Sequence, residues 1–152
     1  MKQRKMFSTA RRIGIGAIGL VALITQTDEK IVSSKTQTII PEIDPLIEAI
    51  IYVESRGDTL AYNTLEDAAG CLQIRPIMVR EVNRLLKVDS YKLVDRWSRA
   101  KSIEMFNVIR SHTKNPTNEK LARNWNGGWS GHKKQSTQGY WERVKNKFGS
   151  LK

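Results

Sequence analysis

Glu54 is the residue whose position is most informative about chemistry. The spacing of Ile47, Ile51 and Glu54 places this carboxyl group on the same face of a helix as two apolar side chains. Burying a carboxylate is costly, and desolvation favours the protonated acid by raising its pKa. Such an acid can protonate the leaving oxygen of a glycosidic bond. The periodicity also allows the apolar face to end at Val53, which would leave Glu54 at a solvated helix end.

Four short motifs follow one another along the chain in a plausible order. Glu54-Ser55 ends the apolar helix, residues 70–74 read GCLQI, residues 125–128 read WNGG, and Tyr140 comes last. The set resembles the lytic transglycosylases of the lysozyme-like superfamily, of the soluble lytic transglycosylase catalytic domain type. The resemblance covers about residues 45–147. The sequence departs from the family pattern in having Cys71 for leucine, Leu72 for methionine and Trp125 for tyrosine.

The resemblance implies a mostly α-helical, lysozyme-like single domain with Glu54 as its one acid/base catalyst. It also implies the substrate, which is the β-1,4 bond between N-acetylmuramic acid and N-acetylglucosamine in peptidoglycan. Cleavage would leave a 1,6-anhydromuramic acid end and would need no metal or other cofactor. Substrate-binding roles are implied for Ser55, Gly70, Gln73, Trp125, Asn126, Gly127 and Tyr140.

Individual roles follow from the same resemblance, and several have a structural alternative. Gly70 would allow the backbone to approach the sugar closely, Asn126 would position an acetamido or hydroxyl group, and Gln73 would bind substrate or order the cleft. Tyr140 would tune Glu54. The structural alternatives are a helix stop for Gly127 and Gly128, a core position for Tyr140, a structural role for Ser55, and packing rather than sugar stacking for Trp125 and Trp129.

The residues leave the reaction type open. Hydrolysis by a muramidase requires a second carboxylate near the scissile bond. Asp58, Glu66 and Asp67 follow the catalytic helix and are the candidates, but spacing singles out none of them. The family resemblance favours cyclisation without water. A non-catalytic module that binds the cell wall is a further alternative, which would tolerate the loss of Glu54.

Composition favours a folded, basic protein. The 152 residues fit one domain with a short appendage, and 39% of them are hydrophobic. The formal net charge of +11 favours an anionic partner. We expect peptidoglycan glycan strands, with an anionic membrane surface as a further partner. No recognised nucleic-acid motif accompanies the basic residues, so nucleic acid is not expected. The expected state is a monomer.

The cysteine and histidine content argues against a disulfide or a metal site. Cys71 is the only cysteine, so neither an internal disulfide nor a cysteine-based zinc site can form. His112 and His132 are twenty residues apart in polar surroundings, and we expect both to be exposed.

The N-terminus is typical of an export signal. A basic stretch precedes the apolar residues 13–24, a run of about 12 residues that is short of the roughly 20 needed to span a bilayer. Residues 1–24 are therefore predicted to be a signal peptide or an uncleaved membrane anchor, and residues 25–43 a polar tether. The domain would occupy residues 44–152, either in the periplasm or anchored to the membrane and facing the cell wall. The sequence leaves open a bacterial or phage origin.

The domain itself shows helical patterns. Asp44 and Pro45 predict a helix start, and Gly57 predicts its end. A hairpin within residues 58–69 is compatible with the pattern. The cleft is expected between the Glu54 helix and the segments holding Gln73 and Asn126. The second helix is predicted to begin at Pro76, with Ile77, Val82, Leu85 and Leu86 facing inward. The third is predicted to begin at Asp95, with Trp97, Ile103, Phe106 and Ile109 on one face. A fourth is predicted to begin at Thr117, and the last near Ser136, with Tyr140, Val144 and Phe148 on one stripe.

Overall fold

The computed structural model describes residues 44–151, which form a mostly helical domain with one small sheet. The two-stranded antiparallel sheet pairs Tyr62 with Ala69 and Asn63 with Ala68. It lies within the loop after the first helix, where a hairpin is compatible with the sequence. The elements are α1 (Pro45–Ser55), β1 (Tyr62–Asn63), β2 (Ala68–Ala69), α2 (Pro76–Leu86), α3 (Arg99–Ser111), α4 (Asn118–Gly127) and α5 (Gln138–Gly149), with 3₁₀ helices at Leu93–Trp97, Gly131–Lys133 and Gln135–Thr137.

Helix α1 begins and ends as its sequence predicts, with one shift at the end. The Asp44 side chain accepts a hydrogen bond from the backbone N–H of Leu46 at 2.8 Å, which caps the helix. At the other end Arg56, rather than Gly57, is the first residue in the left-handed conformation (φ 59°), and Gly57 follows with φ 92°. The helix is therefore closed one residue before the predicted stop, immediately after the Glu54-Ser55 pair.

The core surrounds α1, which packs against α5. Ion pairs from α3 also hold α1 in place: Arg110 contacts Asp44 at 2.5 Å, and Arg99 contacts Glu48. Burying each large apolar side chain contributes about 1.5–3 kcal/mol. The buried residues of this core cluster are Leu46, Ile47, Ala49, Ile50, Ile51, Cys71, Leu72, Ile74, Val79, Val82, Met105, Phe106, Ile109, Leu121, Ala122, Trp125, Tyr140 and Val144.

The predicted inward face of α2 is only partly correct. Pro76 is the first helical residue, Val82 is fully buried and Leu85 packs partly against the core. The predictions for Ile77 and Leu86 are wrong, because these side chains are 61% and 36% exposed. The core instead contacts the face that carries Val79 and Val82, together with part of Met78. Ile77 lies on another face of the helix.

The start of the third helix is also displaced from the prediction. Asp95 belongs to the 3₁₀ helix Leu93–Trp97, where its carboxylate accepts the backbone N–H of Lys92 at 2.7 Å. Ser98 is the residue that caps α3, through the N–H of Lys101 at 3.4 Å. The later helices agree with the prediction, since Thr117 caps α4 and the stripe of α5 buries Tyr140 and Val144.

The predicted export signal and tether, residues 1–24 and 25–43, lie outside the described residues. Between residues 44 and 151, no helix is both long and apolar enough to cross a bilayer. The longest, α3, has 13 residues, whereas a membrane-spanning helix needs about 20.

Candidate active site

Glu54 lies half-buried near the C-terminal end of α1, facing α5. The Tyr140 hydroxyl, on α5, donates a hydrogen bond to Glu54 Oε1 at 2.7 Å. Because α1 and α5 pack against each other, this bond joins residues that are 86 positions apart in sequence. The Glu54 carboxyl group is therefore not left at a solvated helix end.

Burial makes Glu54 a weaker acid than a glutamate exposed to solvent. Desolvation raises the pKa of Glu54 from 4.5 to about 7, although the hydrogen bond from Tyr140 and the charges of Arg143 and Arg75 each lower it. The Glu66 carboxylate adds a smaller upward shift. Near neutral pH, Glu54 can therefore populate both its acid and its carboxylate form. Burial also holds the pKa of Tyr140 well above 10, so its hydroxyl remains a donor.

Glu54 opens into a cleft of about 180 Å³. Its walls come from the end of α1, the β1–β2 hairpin, the start of α2 and the end of α4. Glu54, Gln73 and Asn126 all line this cleft, which is the arrangement expected from the sequence. The lining residues are Glu54, Asn63, Glu66, Ala68, Gln73, Ile74, Arg75, Met78, Trp125 and Asn126.

Gln73 shapes the cleft wall as well as lining it. Its backbone takes the left-handed conformation (φ 47°), and its side-chain amide donates to the carbonyls of Ala61 at 3.1 Å and Gly70 at 2.9 Å. These bonds fasten the hairpin across its open end. Gln73 therefore orders this wall through its side chain and also faces the cleft.

Ser55 joins the end of α1 to the hairpin segment. Its hydroxyl donates to the carbonyl of Cys71 at 2.9 Å and accepts the N–H of Gly57 at 3.2 Å. Ser55 is not among the residues that line the Glu54 cleft. Its contacts are those of a residue that fixes the position of Glu54.

Gly70 is required by packing within the protein. Its φ of 77° is rarely adopted by residues with a side chain, and a Cβ atom would lie 1.8 Å from the carbonyl oxygen of Arg96. The close approach at this glycine is made by the Arg96 backbone, and Gly70 does not line the cleft.

Trp125 contributes to the cleft from a buried position. It is 6% exposed, its ring centroid lies 5.0 Å from that of Phe106, and its indole N–H donates to the Leu72 carbonyl at 3.2 Å. Gly127 lies outside the Glu54 cleft, where a Cβ atom would come within 2.7 Å of the Thr137 methyl group. Trp125 and Gly127 therefore have clear packing roles.

Of the three candidate second carboxylates, only Glu66 lines the cleft. Asp67 instead accepts from the buried guanidinium of Arg96 at 3.1 Å, and Asp58 accepts the backbone N–H of Leu60 at 2.8 Å. The Glu66 carboxylate lies 4.0 Å from Arg75. Any hydrolytic role for a second carboxylate thus falls to Glu66.

Arg75 and Met78 are cleft residues that the sequence reasoning missed. Arg75 directly follows the GCLQI motif and caps α2, Met78 lies three residues further on, and Arg75 lowers the pKa of Glu54. Their nearness to that motif was the available signal. Asn63, on β1, and Ala68, on β2, also line the cleft, and their short strands gave no signal.

Neither histidine belongs to the cleft. His112 is exposed as expected, but His132 is half-buried because its ring Nδ1 and its backbone N–H both contact Asn124 Oδ1, at 2.9 and 3.0 Å. Desolvation lowers the pKa of His132. Among residues 44–151, no group of three or more His, Cys, Asp or Glu side chains could hold a metal ion.

Comparisons with known proteins add no relative: no family model, no curated protein and no solved structure matches the chain. The geometry around Glu54 is therefore the basis for a functional assignment.

Proposed function

We propose that this protein is a peptidoglycan lytic transglycosylase with a lysozyme-like fold. The observation that carries the proposal is Glu54 itself: a half-buried carboxyl group in a cleft, with a pKa of about 7 and one hydroxyl donor, Tyr140. The order of the four sequence motifs supports the same assignment. The substrate is the β-1,4 bond between N-acetylmuramic acid and N-acetylglucosamine.

In the first step, protonated Glu54 donates its proton to the glycosidic oxygen. The bond from that oxygen to C1 of the muramic acid breaks, and the glucosamine unit leaves with a free 4-hydroxyl group. Glu54 is now a carboxylate. The Tyr140 hydrogen bond and the positive charges of Arg143 and Arg75 all favour this charged form, since each lowers the pKa of Glu54.

In the second step, the Glu54 carboxylate takes the proton of the muramic acid 6-hydroxyl group. Oxygen O6 bonds to C1 as the proton leaves, which closes the 1,6-anhydro ring and restores the acid form of Glu54. No water is consumed and no cofactor takes part. A single group that carries both protons in turn needs a pKa near the working pH, as Glu54 has.

A muramidase is the second candidate, because Glu66 shares the cleft with Glu54. In that reaction, water rather than O6 attacks C1, and the Glu66 carboxylate activates the water or stabilises the charge on C1. The nearest cation to Glu66 is Arg75, at 4.0 Å. A third candidate, a wall-binding module, makes no use of the raised pKa of Glu54.

The proposed setting follows from the substrate and the N-terminal sequence. The protein would be exported to the periplasm or anchored to the membrane facing the wall, and would act as a monomer on peptidoglycan strands. Its basic surface would favour both the wall and an anionic membrane.

Product analysis tests the proposal. Purified sacculi are digested with the full chain, and the released muropeptides are analysed by mass spectrometry without chemical reduction. We expect 1,6-anhydro ends, each one water lighter than a reducing end. Reducing ends as the main product would establish the muramidase instead. Binding to sacculi without any release would leave the wall-binding module as the better account.

A further inference from the structure

A second basin adjoins the Glu54 cleft. It has a volume of about 420 Å³ and shares Arg75, Met78 and Asn126 with the cleft, so the two lie side by side. The WNGG motif supplies Asn126, Gly127 and Gly128 to this basin, but Trp129 and the α2 residues opposite it belong to none of the four motifs. The lining residues are Arg75, Ile77, Met78, Glu81, Ile109, Asn124, Asn126, Gly127, Gly128, Trp129 and Lys134.

Trp129 is the largest side chain of this basin, and it is held in place while 41% exposed. It follows Gly128, whose left-handed φ of 78° turns the chain away from the end of α4. Its indole N–H donates to Glu81 Oε1, on α2, at 2.7 Å. A large exposed aromatic side chain that is anchored at its edge leaves its apolar surface available to a ligand.

Glu81, which accepts the hydrogen bond from Trp129, is itself held in place by other bonds. Arg84 donates two hydrogen bonds to the Glu81 carboxylate, from Nε to Oε2 and from Nη2 to Oε1, each 2.7 Å long. These bonds, followed by the one from Trp129, lower the pKa of Glu81 to about 2. Glu81 therefore remains an acceptor for the indole N–H at any pH at which the protein would work.

The rest of the basin combines apolar surface with a few polar groups, as sugar-binding sites do. Ile77, whose exposure contradicts its predicted core position, and Met78 supply apolar surface beside Trp129. The Asn126 side chain makes no hydrogen bond to another residue in the range 44–151, so its amide can bind both an acetamido oxygen and a hydroxyl group. Lys134 adds a cation, bonded to the Gly127 carbonyl at 2.6 Å.

We propose that Trp129 is a sugar-stacking platform that binds an N-acetylhexosamine unit of the glycan strand outside the bond cut at Glu54. The C–H face of the pyranose ring packs on the indole, and Asn126 binds polar groups between the two basins. This inference rests on the proposed function, because it places the same strand in both basins. It assigns stacking to Trp129 in place of Trp125, which is only 6% exposed.

The test is calorimetric titration of the hexamer of N-acetylglucosamine into full-length Glu54→Gln, which cannot cut it. We expect Trp129→Ala, added to that variant, to weaken binding by about tenfold, a typical size for loss of one aromatic contact. Trp129→Phe keeps a ring but loses the bond to Glu81, so an intermediate loss is expected. Tyr52→Ala is the matched control, because Tyr52 is also an exposed aromatic residue (38%) and lines neither basin.

Binding by the Trp129→Ala protein within twofold of its parent would overturn the platform, and so would a parent that binds no hexamer. Digestion of sacculi by the single variant Trp129→Ala separates this idea from the catalytic one. We expect a raised KM and a kcat within about twofold of the wild type. If the wild type releases no muropeptides while Trp129→Ala still loses hexamer binding, the platform stands and the transglycosylase assignment fails.

Discussion

Glu54 and Glu81 are glutamates in adjoining basins, and their surroundings shift their pKa values in opposite directions. Burial raises the pKa of Glu54 to about 7, whereas the Arg84 guanidinium lowers the pKa of Glu81 to about 2. Glu54 receives one hydrogen bond from a neutral hydroxyl, while Glu81 receives two from a cation and one from an indole. The first can exchange protons near neutral pH, and the second is a permanent anion.

Desolvation dominates at Glu54 and the Arg84 hydrogen bonds dominate at Glu81, so burial and the charge of the nearest donor together set the pKa of each carboxyl group. A neutral donor such as Tyr140 offsets only part of the desolvation penalty, so Glu54 retains affinity for its proton. The charged Arg84 more than offsets the smaller penalty at Glu81.

The largest effect is expected from Glu54→Gln. Glutamine has nearly the shape of the acid and can still accept from Tyr140, so fold and peptidoglycan binding should be kept. It cannot deliver or take a proton, and acid/base catalysis contributes about 10²–10⁴-fold. Because Glu54 would perform both transfers, muropeptide release from sacculi should fall by the upper end of that range or more.

Three carboxylate variants serve as controls for Glu54→Gln. Asp58→Asn and Asp67→Asn should affect cleavage little, because neither side chain lines the cleft. Glu66→Gln should also retain most activity if the reaction is a cyclisation. A loss as large as that of Glu54→Gln would show that Glu66 is the second carboxylate of a muramidase, and full activity of Glu54→Gln would refute the catalytic assignment.

Glu54→Gln should also stabilise the folded protein at high pH. Between pH 4.5 and about 7, the folded state binds more protons at Glu54 than the unfolded chain does, so the free energy of unfolding of the wild type falls as pH rises. Glutamine removes this loss. Urea unfolding at pH 8 should show Glu54→Gln to be more stable by at most about 3 kcal/mol, with no difference at pH 4. Equal stability at both pH values would contradict the desolvation of Glu54.

A smaller effect is expected from Tyr140→Phe. The hydroxyl lowers the pKa of Glu54, so its removal should raise that pKa further and move the basic limb of the kcat/KM profile to higher pH. The rate should fall by about tenfold, since the carboxylate formed in the first step loses a hydrogen bond. A lower rate with an unmoved basic limb would mean that Tyr140 acts on packing alone.

The smallest effect is expected from Glu81→Gln, and it is an effect on stability whose pH dependence is opposite to that of Glu54→Gln. The pKa of Glu81 is lowered, so its contribution to stability is present above pH 4.5 and is lost as pH falls through about 2. The Arg84 side chain is 67% exposed, so solvent screening should limit the contribution to less than about 1 kcal/mol. The variant should be slightly less stable at pH 7 and unchanged near pH 2. Greater stability at pH 7 would remove the contrast with Glu54.

Local signals in the sequence predicted much of this domain. Asp44 and Pro45 marked the start of α1, and Thr117 marked that of α4, because capping depends on neighbouring residues alone. Helical spacing left two positions open for Glu54, the apolar face or a solvated helix end, and the structure half-buries it. The contact of Tyr140 with Glu54 followed only from the family resemblance, since no local pattern joins two residues so far apart.

What the sequence did not predict depends on contacts between distant segments. Position 70 must be glycine because the carbonyl of Arg96 leaves no room for a Cβ atom. The hydroxyl of Ser55 donates a hydrogen bond to the carbonyl of Cys71. The different exposure of Trp125 and Trp129 is set by tertiary packing, because both lie beside the same turn. Ile77 appeared to be a core residue because periodicity identifies an apolar side chain but not the partner that covers it.

The buried guanidinium of Arg96 limits the conformational entropy that the protein loses when a glycan strand binds. It donates to four oxygen atoms, the carbonyls of Asp67, Ile74 and Leu93 and the Asp67 carboxylate, at 2.6–3.2 Å. Arg96 lies in the 3₁₀ helix before α3, so both ends of the segment 68–73, which contains β2, are tied to that helix. A cleft wall held in this way is already ordered before a glycan arrives, so little conformational freedom remains to be lost on binding.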